Sequence, residues 1–197
     1  MSAIDIFKKR RTQYALGGKL PMSQADVEAL IRDAVREAPS AFNSQSSRVV
    51  ILFGDEHRKL WDIVKETLRA IVPAENFPTT EAKIDGFARG AGSVLFFEDQ
   101  KVIRQLQENF PLYADKFPVF SDNAAGMAQF AVWTALANAD IGASLQHYHP
   151  LIDDKVAEAW NLPADWHMSA QMPFGSHEND IAPKEYMAND ERFRVFG

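Results

Sequence analysis

The chain has 197 residues, 46% apolar and 24% charged, ordinary proportions for one folded domain with a substantial core. Lys and Arg number 21 against 27 Asp and Glu, and the net charge of −6 argues against nucleic acid as the main partner, since phosphate backbones need a basic field. There are no cysteines, which excludes disulfides, thiol catalysis, iron–sulfur clusters and Cys-ligated zinc.

No run reaches the length of a membrane span, and the basic residues before Thr12 are followed by no apolar h-region. The expectation is a soluble, cytoplasmic, single domain over residues 1–197. A short amphipathic helix is expected over Ser2 to Lys9, leading into Arg10-Arg11-Thr12 and broken by Gly17-Gly18. Ser23, with Asp26 three residues on, starts the next helix. Val27, Leu30, Ile31, Ala34 and Val35 give it one apolar stripe, and Pro39 ends it. Arg48 to Gly54 reads as a buried strand. Asp55 then caps a helix whose inner face is Leu60, Trp61, Val64, Leu68 and Ile71. A small helix near Thr80 to Arg89, a strand over Ser93 to Glu98 and a helix over Lys101 to Asn109 follow.

Ser121 opens a segment, 123–139, that is apolar nearly all round, so its helix must be covered on most sides. So small a chain does that with difficulty, and a subunit interface would help. Gly142 to Tyr148 reads as a strand, Asp153 to Trp160 as a helix, and His167 to Phe174 as a strand ended by Pro173-Phe174-Gly175. Arg192 to Gly197 alternates like a strand that needs a sheet to join. The class is α+β, with four or five strands covered by helices.

Nucleophile-elbow, Rossmann and Walker A motifs are all missing. His147 and His149 have the i, i+2 spacing of some metal sites, but polar strand-end residues are the more common outcome of such a pair. Arg10-Arg11-Thr12 suits bidentate phosphate recognition, and equally the basic end of a short helix. The loop from Pro39 to Ser47 is dense in amides and hydroxyls that can read the edge of a planar heterocycle, or simply connect helix to strand.

Taken together, these segments resemble the nitroreductase family of FMN-dependent oxidoreductases. The resemblance rests on Arg10-Arg11-Thr12, on Ala38-Pro39-Ser40-Ala41-Phe42-Asn43-Ser44-Gln45, on the strand Arg48 to Phe53 and on the apolar helix 121–139. It continues through Gly142 to Tyr148 and closes with Met172-Pro173-Phe174-Gly175 and Lys184. The R-R-T start, the L-Q-H-Y-H-P stretch from Leu145 to Pro150 and the M-P-F-G ending look most like the fatty acid repression mutant-like subgroup. The resemblance implies a nitroreductase-like fold, with a central, mostly antiparallel sheet, in an intertwined homodimer with FMN at the interface. Arg10, Arg11, Thr12 and Lys184 would meet the phosphate and ribityl chain. Pro39, Ser40, Ala41, Asn43 and Gln45 of the other subunit would line the isoalloxazine ring. Leu145, Gln146 and His147 would carry a backbone role at flavin N5, and Lys83 could approach the pyrimidine end. The implied activity is ping-pong: NAD(P)H reduces the flavin, which reduces a nitroaromatic, quinone or similar acceptor, with no obligatory catalytic side chain. A flavin-binding regulatory or stress-response protein with low turnover is the alternative. No metal, nucleic acid or membrane partner is expected.

Overall fold

The structure, a computed structural model, describes residues 2–181 and 183–197. Helix α1 (Ala3–Lys9) starts at a capping box between Ser2 and Asp5 and stops at Arg10, well before Gly17. Strand β1 (Leu16–Gly17) takes up the glycine expected only to break a helix. Helix α2 (Gln24–Glu37) is capped by Ser23, whose hydroxyl accepts the Asp26 N–H, and it buries Val27 and Ile31 as its stripe requires. Strand β2 (Ser47–Phe53) leads into α3 (Gly54–Arg69). Phe53 holds the cap position of α3, so Asp55 falls in the first turn, and Ile71 lies beyond the helix end, exposed.

Helix α4 (Phe77–Ala88) begins earlier than expected, with Pro78 in its first turn, where a missing N–H costs nothing. Strand β3 (Gly92–Asp99) and α5 (Gln100–Asn109) match their sequence patterns. Helix α6 (Phe117–Asn138) also begins early, with Pro118 in its first turn, and Ser121 lies buried a turn inside it. Only Gly142–Ala143 of the stretch to Tyr148 forms a strand, β4. Helix α7 (Asp153–Trp160) is as read. Strand β5 (Trp166–His177) runs straight through Pro173-Phe174-Gly175 instead of ending there. The tail holds a short helix, α8 (Asn189–Arg192), and residues 193–197 pair with no strand among the described residues.

The sheet has five strands in the order β1-β5-β3-β2, with β4 also on β5, and every pair is antiparallel. Leu52, Leu95 and Phe97 pack one face against α3, α4 and α7 around Trp61, Phe87 and Val156. Val94, Phe96, Met172 and Phe174 pack the other against α2 and α6 around Ile31, Val132 and Leu136. Between Phe96 and Phe97 the β5 partner skips from Ala170 to Met168, so Ser169 is an extra residue. The bulge turns Met168 into the first core, while Ala170 and Met172 stay in the second. Gly175 is required by packing, because a Cβ there would stand 2.0 Å from the Gly17 carbonyl oxygen. No helix of the described residues is long and apolar enough to cross a membrane.

Candidate functional site

The Lys9 ammonium reaches the Asp140 carboxylate at 2.8 Å and the Asn138 carbonyl at 3.2 Å, which docks the end of α1 on the end of α6. The chain then runs beside β4: Thr12 bridges Ala143 in parallel, and the Gln13 N–H donates to the Ala143 carbonyl at 2.9 Å. This path brings Arg10, Thr12 and Leu145 to one cavity of about 370 Å³, with Gly126, Gln129, Phe130 and Trp133 of α6 as its other wall. A neighbouring cavity of about 220 Å³ is lined by Lys8, Arg10, Arg11 and Lys184, with Ile4, Phe7 and Tyr186. Four cations thus converge with no carboxylate in the lining. Among the described residues none of the four makes an ion pair. Burial, and after it the Arg11 charge, push the Arg10 guanidinium below the usual arginine range. Such a cluster is the field an anion needs.

The second group of expected residues lies elsewhere on the chain. Pro39, Ser40 and Gln45 line a cavity of about 210 Å³ with Ser47, Arg48 and Ala124. Ala41 and Asn43 belong to the same loop, in a single 3-10 turn over Ala41–Asn43. Phe42, Asn43 and Gln45 have φ of 57°, 50° and 48°, in the left-handed region that non-glycine residues enter at a cost. Local bonds hold them there. The Gln45 N–H donates to Ser40 Oγ at 2.9 Å, and Arg48 donates to the Gln45 carbonyl at 2.6 Å while pairing with Asp99 at 3.0 Å. The Phe42 ring sits among Phe110, Tyr113 and Phe117.

The third group follows β4. The Ser144, Gln146 and Tyr148 N–H groups all turn toward β5, donating to the Pro173 carbonyl, the Gln171 carbonyl and Gln171 Oε1. Among the described residues the Leu145 and His147 N–H groups have no backbone acceptor. The Gln146 side chain is turned inward onto Ser144 Oγ, so the residue offers its backbone geometry rather than its amide. His147 and His149 lie edge to face, 5.9 Å apart, off any named strand. Burial and then His149 push the His147 imidazole down from its usual range. No group of three or more His, Asp or Glu among the described residues is placed to hold a metal. Lys83 stands over the Phe87 ring on α4, against the other face of the sheet from α6.

Sequence reasoning missed Trp133, Gln129 and Gly126, which read as ordinary positions of an apolar helix, and Arg48, which read as the start of a strand. The Arg10 guanidinium lies 4.4 Å from the Trp133 ring centroid.

The model of the family described as "Nitroreductase family" matches residues 7–176 of the chain. The nitroreductase CinD from Lactococcus lactis, solved with nicotinic acid, is 47% identical with a TM-score of 0.93, and each chain covers 100% of the other. CinD has also been solved with 4-nitrophenol. Among curated proteins, HBN1 of Saccharomyces cerevisiae is 38% identical over 196 residues, 96% of this chain and 97% of the relative. The nitroreductase FRM2 of the same yeast is 35% identical over 177 residues, 87% and 86% of the two chains.

Proposed function

The chain belongs to the nitroreductase family, and from that premise we propose that it is an FMN-dependent oxidoreductase. In this reading it takes reducing equivalents from NAD(P)H and delivers them to a nitroaromatic, quinone or similar acceptor. The observation that carries the proposal is the convergence of Lys8, Arg10, Arg11 and Lys184 on one cavity without a counter-charge. A terminal phosphate dianion is the ligand such a field suits, and no dinucleotide fingerprint exists to hold a second nucleotide. Bound there, FMN would supply a carrier that accepts hydride and donates electrons onward.

The chain's own residues would do the rest. Arg10, Arg11, Thr12 and Lys184 hold the phosphate and ribityl end. Leu145 and His147, whose N–H groups have no backbone acceptor among the described residues, would turn them toward the ring. Pro39, Ser40, Ala41, Asn43 and Gln45 line the ring from a second copy of the chain. Their placement in a separate cavity from Arg10 supports a site assembled by two subunits. The complexes of CinD with nicotinic acid and 4-nitrophenol support a nicotinamide donor and a nitroaromatic acceptor. The likeness to FRM2 supports the fatty acid repression mutant-like subgroup.

The test begins with the purified chain: released flavin is identified by chromatography, and the holoprotein is mixed anaerobically with NADH or NADPH, then with 4-nitrophenol or a quinone. Flavin bleaching followed by acceptor-dependent recovery is expected. FAD as the dominant flavin, or no bleaching by either nucleotide, would overturn the reading. Bleaching without recovery by any acceptor would favour a regulatory flavoprotein.

A further inference from the structure

We propose that Trp133 is a positioning residue for phosphate recognition: its indole face holds the guanidinium of Arg10, the residue shared by the Trp133 cavity and the neighbouring cation-lined cavity. The proposal rests on the FMN reading above and names a residue of α6 that no motif marks. Arg10 is the C-cap of α1, so its backbone is fixed where the helix ends, but its long side chain has many rotamers. No carboxylate among the described residues holds that side chain, as the ion pairs of the chain show. Among the described residues its one aromatic partner is the Trp133 ring, whose centroid lies 4.4 Å from the guanidinium carbon. Both residues line the cavity of about 370 Å³ with Thr12, Gln129 and Leu145, and Arg10 also lines the neighbouring cavity with Lys8, Arg11 and Lys184. A carboxylate in Trp133's place would hold the arginine more firmly, yet it would also cancel the charge meant for the ligand. A π face fixes the guanidinium and leaves its charge and N–H fork free.

The choice of tryptophan points the same way. The Trp133 Nε1 is buried with no hydrogen-bond partner in the structure. An unpaired buried donor is a cost that phenylalanine at the same place would avoid. Of the aromatic rings, that of tryptophan attracts a cation most strongly.

The experiment compares FMN with riboflavin, which differ only in the phosphate. Affinities of the flavin-stripped full-length chain for both are measured in the wild type, Trp133→Phe, Trp133→Leu, Arg10→Ala and the double variant Arg10→Ala/Trp133→Leu. Trp133→Leu is expected to weaken FMN roughly 3- to 30-fold, as the loss of a partly desolvated cation–π contact implies, and to leave riboflavin within about twofold. Trp133→Phe should fall between, and in the Arg10→Ala background Trp133→Leu should leave the FMN-to-riboflavin ratio unchanged. Equal weakening of both flavins would make Trp133 a packing residue only and overturn the proposal. An unaltered ratio in Trp133→Phe and Trp133→Leu would overturn it as well. A wild type that binds both flavins equally would remove the phosphate role of Arg10, and one that binds neither would remove the FMN reading itself.

Discussion

At the scale of single residues, backbone conformation decides how Asn43 must be tested. The residue is exposed at φ 50°, where asparagine is tolerated and alanine costs about 1–2 kcal/mol. Asn43→Ala therefore mixes loop strain with loss of the amide, whereas Asn43→Gly removes the amide alone. Asn43→Gly is expected to leave the apo melting temperature nearly unchanged. It should weaken FMN binding or slow reduction by NADH by about 1–3 kcal/mol if the ring loses a buried hydrogen bond. Unaltered flavin affinity and reduction rate in Asn43→Gly would remove the amide from the site. His57 presents the opposite case, a buried polar residue that lines neither the Arg10 cavities nor the loop cavity at Pro39. The Trp61 indole donates to Ser93 Oγ at 3.0 Å, so the Ser93 hydroxyl is free to donate to His57 Nδ1 at 2.9 Å. The remaining His57 Nε2–H then donates to the Phe87 carbonyl at 3.1 Å. Burial pushes the imidazole from 6.5 down to about 4. The unfolded chain takes up this proton near pH 6.5 and the folded chain only near 4. Acid in that window therefore favours the unfolded state. The contribution is complete above pH 6.5 and fades as pH falls toward 4, a span worth about 3 kcal/mol. Denaturant unfolding at pH 7 and pH 4.5 should show a smaller loss in His57→Gln than in the wild type, and equal losses would refute the assignment.

At the scale of elements, the end of β3 organises the strained loop. Glu98 is buried and accepts hydrogen bonds from the hydroxyls of Ser46, Ser47 and Ser121, tying the loop exit and α6 to one carboxylate. Its neighbour Asp99 pairs with Arg48, which in turn holds the Gln45 carbonyl. Arg48→Met should lower the apo stability by about 1–2 kcal/mol and change the visible circular dichroism of bound flavin, because Gln45 loses its tether. Arg48→Lys should recover much of the stability but less of the spectrum, since an ammonium lacks the fork. A normal spectrum in Arg48→Met would mean that the loop holds its shape without this pair. None of this was legible in the sequence, where Ser46-Ser47-Arg48, Glu98-Asp99 and Ser121 lie in three separate segments. What was legible is what local pattern controls. The stripe of α2, the short apolar runs of β2 and β3 and the acidic start of α7 all announce themselves within one element. Register against a neighbour does not. Leu145 to Tyr148 looks strand-like but is held to β5 through a single bridge, at Gln146, and the Gln171 side chain. The extra residue Ser169 reverses the face of β5 with no local mark. In the site, the basic cluster and the amide-rich loop were readable as motifs, whereas Trp133 emerges only when α1 is seen docked on α6.

At the scale of the whole molecule, the chain keeps two parts of one expected site apart and leaves apolar surface between them. A groove of about 470 Å³ runs between α1, α2 and α6, lined by Ile6, Phe7, Pro39, Met127, Phe130 and Ala131 among others. One end meets the loop at Pro39, and the other meets the Arg10 cavity at Phe130. A second copy covering this groove would bury the outer side of α6 and place a foreign loop near each cation cluster. The tail belongs to the same account. Phe193, Val195 and Phe196 are 57%, 92% and 90% exposed, which a lone folded chain has no reason to offer to water. Each such side chain, buried against a partner, contributes up to about 1.5–3 kcal/mol. Met127→Glu sets a charge in the groove without touching the Arg10 cavity, and should yield a folded monomer with low flavin occupancy. Removal of residues 190–197 should weaken the dimer and flavin retention while leaving the far-ultraviolet spectrum nearly intact. Sedimentation at micromolar concentration, followed together with flavin absorbance, checks both. A wild-type chain that sediments as an FMN-loaded monomer would show that one copy completes the site. The loop of Pro39 to Gln45 would then have no part in holding the ring from a partner.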